Sequence, residues 1–238
     1  MEREVIYGVR PVIEALRSGR REVYEILDAV GSKEVAEAAT AAGVPVRNVS
    51  RARIEELTRG GTHQGVAARV GPYPYSNLEE ILAAPEPLVV VLDGVTDPHN
   101  LGAILRAADG AGASGVVIPK DRAVGVTAAA VKASAGASEH VPTARVTNLR
   151  RAIERMKEAG LWVYAAEVGG MTYTGLDLTG PVALVLGSEG RGVRRLVREG
   201  CDGALSIPML GAVESLNVSV AAAVLLYEAR RQRGWPRT

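Results

Sequence analysis

The sequence predicts an α/β protein in two parts: a small N-terminal unit and a larger domain built on a mostly parallel sheet. Three observations lead there. Apolar runs at 88–92, 116–118, 161–165, 182–186 and 205–207 alternate with helical stretches, as parallel strands joined by crossover helices require. These runs are continuously apolar, which fits strands covered on both faces. Between the two parts, Gly71-Pro72-Tyr73-Pro74-Tyr75-Ser76-Asn77 breaks the pattern with two prolines and a glycine.

Each element has a local reason. Residues 10–16 read as a helix, with Pro11 tolerable in its first turn. Residues 23–27 are a short strand. Ser32 caps a helix running to Ala42, and Gly43 stops it. Val44-Pro45-Val46 reads as an edge strand, where a residue without an N–H is tolerated. Ser50-Arg51-Ala52-Arg53 opens another helix, and 66–70 closes the unit as a strand. The expected division is therefore 1–71, a linker at 72–77, and 78–238. In the second part, 101–108, 149–159 and 218–231 are the principal helices. No internal repeat or low-complexity segment occurs.

Composition narrows the class. With 238 residues, 47% of them hydrophobic, the chain can bury an ample core. No window of about 18 consecutive apolar residues exists, which argues against a membrane span. The start, Met1-Glu2-Arg3-Glu4-Val5, is charged and lacks a signal-peptide core. One cysteine, Cys201, rules out an internal disulfide and a cysteine-cluster zinc site, and a reducing cytoplasm is the expected location. A net charge of +1 does not by itself favour nucleic acid, although a basic face can exist within a neutral total. Arg far outnumbers Lys, which suits bidentate phosphate contacts but also follows from a GC-rich genome.

Three segments carry the chemistry. They are Asp97-Pro98-His99-Asn100-Leu101-Gly102 with Arg106; Leu186-Gly187-Ser188-Glu189-Gly190-Arg191-Gly192; and Ile207-Pro208-Met209 followed by Glu214-Ser215-Leu216-Asn217-Val218-Ser219. Each begins where an apolar run ends. Ligands of open α/β sheets bind beyond the carboxyl ends of the strands, so three such loops describe one site. Asn100, Ser215 and Asn217 are also good helix caps, and Glu189 also reads as an exposed turn carboxylate. Arg106 also reads as a helix-surface charge paired with Asp109 or Glu189. Gly110-Ala111-Gly112-Ala113-Ser114-Gly115 fits a dinucleotide-binding pattern, but it follows a helix and precedes a strand, so it is a helix stop and turn.

In order and spacing, these segments resemble the SpoU family of RNA ribose 2′-O-methyltransferases, within the knotted SPOUT class. The resemblance extends over nearly the whole chain, since the first seventy or so residues look like the small, ribosomal-protein-like RNA-binding domain that many members carry. Several expectations follow from it. The fold would end in a deep C-terminal trefoil knot, where physics alone stops at a doubly wound sheet. The cofactor would be S-adenosylmethionine, with Gly187, Ile207 and Leu216 holding it through backbone and apolar contact. Asn100, Arg106, Glu189, Ser215 and Asn217 would form the catalytic set. Arg106 would grip the phosphate beside the target ribose and align the 2′-hydroxyl, with a part in accepting its proton. Arginine stays protonated in proteins almost without exception, so His99 stands as the rival base, imidazole being suited to proton removal near neutrality; the family does not require a histidine there, and His99 reads as part of the loop or cap.

In the N-terminal unit, Thr62-His63-Gln64-Gly65 resembles a recurring element of the family's RNA-binding domain, which makes His63 and Gln64 candidates for RNA contact. Arg10, Arg17, Arg20, Arg21, Arg51, Arg53 and Arg59 are candidates for phosphate contact, with a solvated charged face as the alternative. The layout points to a guanosine of 23S rRNA. The alternatives are a tRNA ribose methylase, a resistance-type rRNA methylase and, in another class, a non-catalytic ribosome-assembly factor. A homodimer is expected through the helix at 218–227, which is apolar on most faces. No metal is expected, because methyl transfer from a sulfonium needs no Lewis acid.

Overall fold

The computed structural model describes residues 3–188 and 190–235. The N-terminal part is a four-stranded sheet with three helices. Its elements are β1 (Glu4–Tyr7), α1 (Val9–Ser18), β2 (Val23–Asp28), α2 (Lys33–Ala42), β3 (Val46–Asn48), α3 (Arg51–Thr58) and β4 (Val66–Val70). The order is β1-β4-β2-β3, with β4 antiparallel to both neighbours and β3 a parallel edge strand. The expected local signals operate: Gly43 ends α2 in the left-handed region, and the Ser50 hydroxyl accepts the Arg53 N–H at the start of α3. Strand β1 is absent from the sequence-based reading. Four residues with one fully buried side chain, Ile6, carry no periodic signal, and pairing with β4 creates the strand.

The second part comprises α4 (Leu78–Leu82), β5 (Leu88–Asp93), α5 (Pro98–Gly110), β6 (Gly115–Pro119), α6 (Ala128–Ala133), β7 (Thr143–Val146), α7 (Leu149–Glu158), β8 (Trp162–Thr172), β9 (Val182–Gly187), α8 (Arg195–Arg198), β10 (Gly203–Ser206) and α9 (Val218–Arg233). Its sheet runs β10-β8-β9-β5-β6-β7, and every pair is parallel. Central strands β5 and β9 are buried on both faces, as their unbroken Val and Leu content requires. One apolar cluster lies under α5 and α9, and a second under α7. Among the described residues, no helix is long and apolar enough to cross a membrane.

Residues 72–77, read as a linker, are packed down. Tyr73 is buried, and its hydroxyl donates to the Ser138 carbonyl at 2.8 Å. The Ser76 N–H donates to the Thr143 carbonyl at 2.9 Å. Two arginines offered for phosphate contact are spent in the same region. Arg21 is buried and reaches Glu139 of the second part at 2.5 Å, while Arg20 donates to Ser76 at 3.1 Å. A buried guanidinium beside a buried carboxylate is a contact between the two parts of the chain, unavailable to RNA.

Candidate active site

The carboxyl ends of β9 and β10, with the later part of β8, meet around a cleft of about 980 Å³. Its wall is the turn after β9. Gly187, Ser188, Gly190 and Gly192 all line it, and Gly192 folds back to donate to the Ser188 carbonyl at 2.9 Å. The return is so close that a Cβ at Gly187 would lie 1.9 Å from the Gly192 carbonyl carbon. Only glycine fits, because the returning backbone takes the space of a side chain. Gly190 and Gly192 have φ of 76° and 62°, which the tight turn requires. The opposite side comes from the stretch after β10, where Ile207 and Leu216 are half-buried against the cleft with Val218 beneath. Ser215 and Asn217 stand at its polar rim.

Asn217 joins two of the motifs. Its Oδ1 accepts the Ser219 N–H at 2.9 Å and the Ser219 hydroxyl at 2.6 Å, capping α9. Its Nδ2 donates to Asn100 Oδ1 at 3.0 Å, across 117 residues of sequence. Capping and site membership are therefore the same geometry, since the cap oxygen determines which end of the amide faces Asn100. The cap of α5 itself is Asp97, whose carboxylate accepts the His99 N–H at 2.9 Å.

Arg106 sits on the exposed face of α5 and does not line the cleft. Six residues place it about 9 Å along the helix from Asn100 and roughly 120° around the axis. It shares that face with His99, which is also exposed. Among the described residues Arg106 makes no ion pair, so the Asp109 pairing does not form. Helix α5 lies tight against α6 because a Cβ at Gly102 would be 2.5 Å from the Ala130 carbonyl oxygen. Glu189, expected in the catalytic set, lies outside the described residues.

In the N-terminal part, His63 is buried, which removes it from the surface. Its Nδ1 accepts the Gly65 N–H at 3.0 Å, so Nε2 carries the proton and donates to Glu55 at 2.8 Å. The ring shapes its own loop instead of presenting itself to RNA. Gln64 is exposed, but its Oε1 accepts from Lys132 of α6 at 2.7 Å, another bond between the two parts. Arg10 and Arg17 remain at the surface, with side chains 63% and 62% exposed beside Glu34 and Glu14.

Two features carry no mark in the three motifs. Ala166 to Gly169 of β8 supply one edge of the cleft, and behind the turn after β9, Asp93 ends β5 with a fully buried carboxylate bonded to Arg194. The signal for Asp93 was a lone carboxylate ending an apolar strand. Among the described residues, no group of three His, Cys, Asp or Glu side chains is placed to hold a metal ion.

Comparison with known proteins decides the family. The SpoU rRNA Methylase family matches residues 87–227, and the RNA 2′-O ribose methyltransferase substrate binding family matches residues 5–76. The chain belongs to the SpoU rRNA methylase family. The 23S rRNA (guanosine-2′-O-)-methyltransferase RlmB of Escherichia coli strain K12 is 42% identical over 97% of this chain and 99% of its own. The enzyme of the same name from Photorhabdus laumondii is 44% identical over 97% of this chain and 98% of its own. Among solved structures, the SpoU methyltransferase AviRb of Streptomyces viridochromogenes, crystallised with AdoMet, superposes with a TM-score of 0.84. It is 30% identical and covers 96% of this chain and 89% of its own.

Proposed function

We propose that this chain is an S-adenosylmethionine-dependent RNA ribose 2′-O-methyltransferase acting on a guanosine of 23S rRNA. The carrying observation is full-length similarity to enzymes named for that reaction, at 42% and 44% identity, with the substrate-binding part included. That part also argues against the minimal tRNA type, which usually lacks it.

The cleft suits the cofactor. The wall at Gly187, Ser188, Gly190 and Gly192 offers backbone groups to a nucleoside, and Ile207 and Leu216 supply apolar contact. When bound, S-adenosylmethionine supplies a methyl group already activated by its sulfonium. The protein's part is to place and deprotonate a weakly acidic ribose hydroxyl, so positioning carries the rate. Asn100 and Asn217, bonded together, present a fixed pair of amides at the rim. Ser215 completes the polar side, and Glu189 joins the catalytic set on its place in the second motif. Arg106 binds the phosphate next to the target ribose and aligns the hydroxyl, and Arg10 and Arg17 add phosphate contacts from the N-terminal unit, which occupies 1–71.

The second part is a SPOUT domain whose C-terminal segment is knotted. Supporting this, β9 enters the sheet between β8 and β5, late in the chain and between strands formed earlier. The enzyme is a cytoplasmic homodimer that needs no metal. Supporting the dimer, α9 leaves Val220 and Tyr227 exposed at 48% and 44%, beside Trp235 at 55%. A monomer by light scattering at micromolar concentration would overturn that element of the reading.

The deciding experiment is mapping of ribose 2′-O-methylation in rRNA and tRNA from a strain lacking the gene. One 23S rRNA guanosine should lose its methyl and regain it on complementation. Loss at a tRNA position instead would select the tRNA reading. Unchanged methylation together with no S-adenosylmethionine binding by calorimetry would select an assembly factor.

A further inference from the structure

We propose that Asp93 is a positioning residue for the cofactor cleft, acting through Arg194 to hold the turn at 188–193 in its binding shape. The proposal rests on reading the cleft as an S-adenosylmethionine site. Asp93 is the last residue of β5, and its Cα pairs in register with that of Gly187, the last residue of β9. Its side chain is wholly buried, while that of Arg194 is half exposed. The carboxylate accepts the Arg194 backbone N–H at 2.8 Å through Oδ2 and the Arg194 Nε–H at 2.6 Å through Oδ1. Nη2 also lies 2.6 Å from Oδ1.

This bond closes a loop of backbone. The turn leaves β9 at Gly187, beside Asp93, and its far end returns to Asp93 at Arg194. Between these fixed ends lie Ser188, Gly190 and Gly192, which wall the cleft. Glycines with positive φ hold no shape of their own, because glycine loses the most conformational freedom on ordering. The turn's own bond, from the Gly192 N–H to the Ser188 carbonyl, closes only its middle, so its far end needs a hold from outside. Asp93 meets the requirement because the strand ladder fixes its backbone and burial fixes its side chain.

Stability does not explain the choice of an aspartate here. Burying a carboxylate costs several kcal/mol in desolvation, and an apolar residue of similar size would pack a strand end without that cost. A carboxylate is favoured where geometry must be held, since it accepts from main chain and guanidinium together. The sequence separation of 101 residues means that β5 and the turn are tied only in the folded chain.

The test uses full-length chains carrying Asp93→Asn, Arg194→Ala, Arg194→Lys, or the first two together. S-adenosylmethionine affinity is read by calorimetry, RNA affinity by filter binding, and amide hydrogen exchange at 188–193 without ligand. Each single change should weaken cofactor affinity by about tenfold or more, the scale expected for small misplacement of a binding group. It should raise KM for the cofactor more than it lowers kcat, leave RNA affinity unchanged and speed exchange at 188–193. Arg194→Lys should recover part of the affinity, because the backbone donor and the charge remain. The double variant should be no worse than the worse single, since one interaction is lost in each. Unchanged affinity and unchanged exchange in Arg194→Ala would overturn the proposal, as would exchange that rises evenly along the chain. Arg194 is half exposed, so that variant serves if Asp93→Asn does not fold. If the unaltered chain binds no S-adenosylmethionine, the reading of the cleft fails, while exchange at 188–193 still decides whether Asp93 holds the turn.

Discussion

At single positions, the site is decided by what is missing as much as by what is present. Gly187→Ala would push a methyl group into the backbone of Gly192 and Val193, and no flexible side chain there can yield. The variant should lose cofactor affinity and about 1–3 kcal/mol of stability, as overpacked sites do. Calorimetry and urea unfolding check both, and wild-type binding would mean the turn does not wall the cofactor site. Arg106 is the opposite case, an exposed side chain with no ion pair among the described residues. Arg106→Ala should leave stability within about 0.5 kcal/mol of wild type. It should abolish single-turnover methylation while leaving cofactor titration nearly unchanged, because an alignment group used in the transition state affects turnover more than ground-state binding. Arg106→Lys should not restore the rate, since an ammonium cannot reproduce a planar fork. Near wild-type turnover in Arg106→Ala would shift attention to His99 on the same face.

Among the elements, α9 does two jobs at its two ends. Its start is capped by Asn217, which also reaches Asn100. Near its end, Glu228 is 8% exposed and accepts from Arg231 at 2.7 and 2.8 Å and from Gln232 at 2.8 Å. Gln232 in turn bonds the Leu176 carbonyl and the Leu178 N–H, tying the helix to the segment before β9. The Arg231 hydrogen bonds, helped by Gln232, pull the Glu228 carboxyl from 4.5 down to about 2. A depressed carboxyl stabilises the fold above its unfolded value and loses that contribution as pH falls through its folded value. Glu228→Gln should therefore be less stable at pH 7, by on the order of 1 kcal/mol because Arg231 is largely solvated. The gap should close as pH falls from about 4.5 toward 2. Urea unfolding along that pH series tests the sign, and a gap that widened in acid would contradict it.

The whole molecule depends on how its two parts are joined. Arg21 and Glu139 are both buried, and burial, opposed by Arg21, leaves the Glu139 carboxyl above its usual range. Arg21→Ala would strand that carboxylate and should cost about 3–5 kcal/mol at neutral pH. A raised carboxyl stabilises the fold below its unfolded value and loses the contribution as pH rises through its folded value. The variant should accordingly be most stable in acid, and Arg21→Ala with Glu139→Ala should recover much of the loss. Denaturation across pH on the three chains is the measurement, and additive losses in the double variant would rule out direct coupling. The same contact changes what removal of residues 1–77 should do. That cut takes away Arg21 and the buried Tyr73, so the remainder should still bind S-adenosylmethionine but unfold at a lower temperature, with most RNA affinity lost. Undiminished RNA methylation by the remainder would give the N-terminal part another role.

What the sequence determined by itself is whatever depends on near neighbours. Continuous Val and Leu runs specify doubly covered strands, Gly43 and Ser50 specify helix ends, and Gly-rich polar segments after apolar runs mark the strand ends where Asn100, Gly187, Ile207 and Asn217 lie. What only the tertiary structure decided depends on partners far along the chain. Strand β1 exists because β4 pairs with it, and Arg20 and Arg21 turn inward because Ser76 and Glu139 lie opposite them. The segment at 72–77 reads as a loose connector because proline and glycine break local pattern, yet Tyr73 finds a buried site against Ser138. Asp93 reads as the polar end of a strand, and its role emerges only when Arg194 closes onto it. Local periodicity encodes which face of an element is apolar, but the choice among distant partners is made by packing, burial and the need to pair each buried charge.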